Sequence, residues 1–335
     1  MKNLFNLALS FFLLLAALVT SCNDGPDLSN INVDIKLIPF YEDLNSIPPD
    51  SVEYKIEYLK SKYDKFLDVY SAKVIRIGSS DDADYAYNLK GFLEYKPNKE
   101  VFLKCKEVFG DLNALKSSID EAYKHYLYYF PHTTLPDIYL HISGFNQSMI
   151  ADSGLISISV DKYLGADCKF YELLAIPVYM RRKMTPEKVV PDLMRATAYI
   201  NFPQSDSIDD VANNIIYQGK ALWFVKKMIP DINDTLLFDY TPDELKWCKN
   251  NESKMWETMV EKKHVFNNER MVIQKYIGDA PFTNFFTDKS PGRAGTYIGY
   301  QIVKAYMDKH PELTLKDLML QDNGHLILRE SGYRP

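Results

Sequence analysis

The side chains able to bind a metal or attack a carbonyl are few and poorly spaced. The six histidines are His125, His132, His141, His264, His310 and His325. No two stand four apart, so there is no HExxH helix to grip zinc and activate water. The cysteines are Cys22, Cys105, Cys168 and Cys248, and none has a CxxC neighbour. Cys105 sits among Val101, Phe102 and Val108 at helical spacing, the setting of a core residue. The nucleophile elbow GxSxG and the phosphate loops GxGxxG and GxxxxGK[ST] are absent. No cofactor is expected from these patterns. The net charge of −6 argues against a nucleic-acid partner, which would need a basic surface.

The elements around these residues are mostly helical. Val52, Ile56, Leu59, Tyr63, Phe66 and Tyr70 form one stripe of an amphipathic helix opened by Pro48-Pro49-Asp50-Ser51. Helices are predicted at about 83–95, at 99–109 and from Leu112 to Pro131. Residues 31–40 alternate as a strand. The runs 137–142 and 155–160 are β-type and are expected to be neighbours. Thr185-Pro186-Glu187 signals a helix start by its N-cap and N1 proline, and the helix should end near Tyr199. Asp206-Ser207 opens the next helix, which closes at Pro230. Thr241-Pro242-Asp243-Glu244 starts another, and a last runs about 293–309. In it Gly295 and Gly299 lie four apart on one face, so another backbone can approach closely. The order implies a single, mostly helical α+β domain over residues 31–335.

The amino terminus reads as an address. Lys2 precedes an apolar run from Leu4 to Val19, too short for a membrane span and suited to a signal peptide. Val19-Thr20-Ser21-Cys22 resembles the lipobox of bacterial lipoproteins. The resemblance implies cleavage after residue 21, acylation of Cys22, and a polar tether over 22–30. The membrane is therefore one expected partner, through the lipid anchor.

Several later segments carry a family resemblance. They are Ile156 to Gly165 with its Asp161-Lys162-Tyr163-Leu164-Gly165 block, Tyr171, Pro177 to Met184, and Pro186 to Asp192. With Leu59 to Phe66 and Gly295-Thr296-Tyr297-Ile298-Gly299-Tyr300, they resemble the gliding-motility lipoprotein B family along nearly the whole mature chain. This implies a lipid-anchored cell-envelope protein with envelope or motility-machinery partners. The expected placement is the outer membrane facing the periplasm, rather than the inner membrane. The family offers no established catalytic residues.

A second resemblance is to predicted HExxH zinc peptidases. If Asp192 stands where their catalytic glutamate would be, Pro191 and Arg195 occupy the two histidine positions and Gln218 the third-ligand position. Proline has no donor atom, and guanidinium stays protonated and cannot bind Zn²⁺. The resemblance implies a degenerate zincin-like scaffold without its metal, with Arg195 and Asp192 paired in its place. Pro191 is expected to kink its helix. In such peptidases the strand before the active helix is an edge, which here would be 155–160. Asp161, Tyr163, Tyr179 and Arg181 would then line a groove for an extended peptide or glycan chain. The bland alternative makes Asp161 a capping carboxylate and the tyrosines packing residues.

The resulting expectation is a non-catalytic envelope protein acting through protein or polymer contacts. The alternatives are an envelope hydrolase with an atypical site using Asp192, Asp161 or Glu187, and a peptide- or glycan-binding lipoprotein. Asp50-Ser51-Val52, Asp206-Ser207-Ile208 and Asp234-Thr235-Leu236 also resemble a short O-glycan acceptor, though two of the three suit helix capping.

Overall fold

The stripe beginning at Val52 forms the Val52–Val69 helix, with Leu59, Tyr63, Phe66 and Leu67 buried and an interruption at Asp64. It belongs to a computed structural model that describes residues 26–152, 154–205 and 207–335. The expected signal peptide and Cys22 lie outside the described residues. Among those residues, no helix is long and apolar enough to cross a membrane.

Four strands make a small mixed sheet. They are β1 (Leu37–Ile38), β2 (Asp137–His141), β3 (Met149–Asp152) and β4 (Leu155–Ser159), in the order β1-β2-β4-β3. β1 and β4 run parallel to β2, and β3 runs antiparallel to β4. The neighbours expected at 137–142 and 155–160 are indeed paired. The strand expected over 31–40 shrinks to two residues, because Phe40 already begins a helix at Phe40–Asn45. β3 went unread, since four residues give too little alternation to stand out.

Period-two alternation puts the two faces of the sheet to different uses. On one face Tyr139 stacks on Phe66 at 4.0 Å, and His141 lies 5.7 Å from Tyr70 by ring centroids. Phe40 packs edge-on against Tyr63 and Phe66 there. Ile156 on the other face lines a groove together with residues of the Asn113–Tyr129 and Val189–Asn201 helices. The molecule is thus mostly helical with one small sheet between helical layers, and a continuous core runs from Ile35 to Ile327.

The Val211–Met228 helix forms the centre of the second half and is buried on most of its surface. Against it lies the Ala294–Lys309 helix. A Cβ on Gly219 would fall 2.4 Å from the Gly299 backbone, and one on Gly299 only 1.7 Å from the Ile215 carbonyl oxygen. The two backbones touch because glycine leaves room for them. That helix starts at Val211, not at 206: Asp210 caps it by accepting from Asn213 N at 2.9 Å. The Pro242–Asn250 helix starts where Thr241-Pro242-Asp243-Glu244 was expected to open it, and Thr241 and Glu244 form a full capping box there.

Candidate functional site

The Val189–Asn201 helix follows a short 3₁₀ turn over Pro186–Lys188. Thr185 precedes that turn without a side-chain cap, because the turn closes through backbone Lys188 N to Thr185 O at 3.0 Å. Pro191 does not break the helix as expected. It sits in the first turn, where its missing N–H costs no hydrogen bond.

Val189, Leu193, Met194, Thr197 and Ala198 bury one side of this helix. Asp192 and Arg195, one turn apart, pair at 2.6 Å as expected from the sequence. They belong to a larger network. Lys188 lies 3.2 Å from Asp192 and also contacts Asp239. Asp239 receives Arg195 and Arg293, each at 3.2 Å, and its side chain is only 2% exposed. Tyr163 donates its hydroxyl to the other Asp192 oxygen at 3.1 Å. Lys188 donates further to the Leu236 carbonyl at 3.2 Å.

Three cations therefore converge on two carboxylates below the surface. Burial alone would raise the Asp239 carboxyl. Lys188, Arg195 and Arg293 outweigh it and hold the group well below the usual carboxylate range. Burial likewise disfavours the Arg195 charge, and Asp192 and Asp239 more than restore it. The Tyr163 hydroxyl is held far above its normal titration by burial and by the adjacent Asp192 charge.

This chemistry does not fit a zinc ion. A dication is held by neutral or anionic donors, whereas Lys188, Arg195 and Arg293 present only protons. Gln218 stands outside the network and accepts from the Tyr199 hydroxyl at 2.6 Å. Among the described residues, no group of three or more His, Cys, Asp or Glu is placed to hold a metal.

The other sequence candidates separate from one another. β4 is not an edge: β2 and β3 flank it and all five of its residues are buried, so an extended chain cannot pair with it as expected. Asp161 is fully buried. It accepts from Phe145 N at 2.7 Å, from Ser143 N at 3.2 Å and from the Ser159 hydroxyl. It organises the 143–146 turn, in which Gly144 and Phe145 hold positive φ. Burial outweighs these donors and raises its carboxyl. Tyr163 is buried, whereas Tyr179 and Arg181 are half-buried. The Asp161–Gly165 block works as a knot. Tyr171 bridges Asp161 O and Leu164 N at 2.8 Å each, and Tyr163 reaches across to the ion network.

Cys105, Cys168 and Cys248 are free and buried. Among the possible acceptor motifs, Asn233 rather than Asp234 caps the Asp234–Phe238 helix, and Ser51 makes no side-chain cap. Sequence reasoning missed Lys188, Asp239 and Arg293 as site residues. Lys188 stands one helical turn before Asp192, a signal that was available. Asp239 and Arg293 are remote in the chain, and nothing local marks them.

The family model described as gliding motility protein GldB matches residues 21–335. No curated protein and no solved structure matches the chain.

Proposed function

The chain belongs to the gliding-motility lipoprotein family described as gliding motility protein GldB, and we propose from that premise that it is a non-catalytic envelope component that works by holding partners. In this reading Cys22 carries the acyl anchor, in the outer membrane facing the periplasm. The folded body is a degenerate metallopeptidase-like scaffold. Its contacts are with motility-machinery or other envelope proteins, or with an extended polymer.

One observation carries the reading. At two of the positions that correspond to the active helix of a peptidase of the resembled kind, Asp192 is engaged by Lys188 and Arg195, and Arg195 also by Asp239, which comes from outside those positions and is shared with Lys188 and Arg293. Each charged side chain of that network faces an opposite charge. The Asp239 carboxylate, held by three cations, is a poor general base, because its proton affinity is suppressed.

The test uses the full chain purified in detergent. It is incubated with a peptide library, with and without chelator, and its metal content is measured by elemental analysis. No cleavage is expected. One tightly held zinc per chain with chelator-sensitive cleavage would overturn the reading. Affinity isolation from envelope extracts should recover defined motility or secretion proteins in fixed ratio.

A further inference from the structure

We propose that the outer edge of β3, with the groove beside it, is a docking site for an extended polypeptide segment. The proposal rests on the contact-making reading above. β3 ends the sheet and pairs only with β4. Ser159 N donates to Ser148 O at 2.8 Å, which fixes the phase of the antiparallel ladder. Hydrogen-bonded pairs alternate, so Ile150 faces Ser157 in a bonded pair, while Met149 and Ala151 turn their backbone N–H and C=O groups away from β4. Among the described residues, no hydrogen bond crosses that side of the strand. A row of unpaired donors and acceptors is a template for another strand.

Ala151 is exposed and also lines a groove of about 540 Å³. Its floor includes Ile156, the direct partner of Ala151, and its walls include Tyr126, Leu135, Ile200 and Asn201. The volume falls within the usual range for ligand pockets. No charged side chain lines it. The occupant is therefore a neutral stretch with apolar side chains at alternate positions. Outward backbone groups recur every second residue, about 7 Å apart, which is the repeat of an extended peptide. A sugar chain offers no such ladder.

The probe is the hexapeptide Thr-Val-Thr-Leu-Thr-Val-amide with fluorescein on its amino terminus, titrated against the full chain in detergent by fluorescence anisotropy, each comparison ligand carrying the same dye. It is compared with its fully N-methylated analogue and with chitohexaose. We expect saturable binding of the peptide and at least tenfold weaker binding of the analogue. Ala151→Pro removes an outward N–H at an edge position where proline is tolerated, and should weaken binding at least tenfold. Ile200→Lys, at a half-exposed position, should do the same without touching the strand. Thermal melts of both variants confirm folding. Equal binding of the N-methylated analogue, binding of the sugar alone, or no binding overturns the docking site. Cleavage of the peptide overturns the contact-only reading and leaves the edge pairing standing. Absence of both binding and cleavage overturns the docking site alone.

Discussion

Asp239 and Arg293 meet at 3.2 Å, and both hold a left-handed backbone, at φ 64° and 59°. Asp239 ends the Asp234–Phe238 helix and Arg293 precedes the Ala294–Lys309 helix. Tyr240, next to Asp239, donates its hydroxyl to the Arg293 carbonyl at 3.1 Å, so the two turns are held from both sides. The left-handed conformation is unfavourable for arginine by roughly 1–2 kcal/mol, and persists where surrounding contacts over-determine it.

Removing the central anion should be severe. Asp239→Ala leaves Lys188, Arg195 and Arg293 buried without their shared partner and should destabilise the fold by about 3–5 kcal/mol. Asp192→Ala should cost less, because its side chain is 18% exposed and water can replace it in part. Urea denaturation of the two variants checks the order; equal losses would mean that burial does not govern the network.

The network also sets an acid limit. The folded Asp239 carboxyl titrates below its unfolded value of about 3.9. Its contribution is therefore fully present above that pH and is lost as pH falls toward the folded value. Asp161 has the opposite sign. Its raised carboxyl favours folding below the unfolded value, and that gain fades as pH rises through the folded one. Stability measured from pH 2 to 5 should rise less steeply in Asp239→Asn than in the wild type, and more steeply in Asp161→Asn.

His141 is fully buried on the sheet face, and neither ring nitrogen has a hydrogen-bond partner among the described residues. Burial lowers its pKa to about 3. The unfolded chain takes up that proton near 6.5, so stability falls as pH drops from 6.5 toward 3, by up to about 1.4 kcal/mol per pH unit. His141→Phe removes the unpaired nitrogens against Phe66 and Tyr70. It should stabilise the protein by about 1 kcal/mol at pH 7 and flatten that limb of the profile. Chemical denaturation at several pH values reads both effects.

Two glycines should respond with opposite signs. Gly299→Ala drives a methyl into the Ile215 carbonyl and forces two central helices apart, at a cost of about 3 kcal/mol. Gly91→Ala lies in the Tyr85–Glu94 helix with nothing within 4 Å of the new methyl. It should stabilise by about 0.5–1 kcal/mol. Melting temperatures of the pair separate close packing from helix propensity.

The sequence by itself determined the helical frame, the paired strands at Asp137 and Leu155, the helix start at Thr241 and the glycine seam at Gly295 and Gly299. Each is written in a period of two, three or four residues, or in a cap that satisfies backbone groups within one turn. The resemblance to zinc peptidases pointed to the Asp192–Arg195 pair, which the helix brings together because residues three apart share a face. Tertiary structure alone decided that Asp239 and Arg293 join them from 44 and 98 residues beyond Arg195, and that β3 rather than β4 is the open edge. Coulomb attraction between buried groups depends on distance in space, and strand order depends on which short segments pair after collapse. Neither leaves a trace in local spacing.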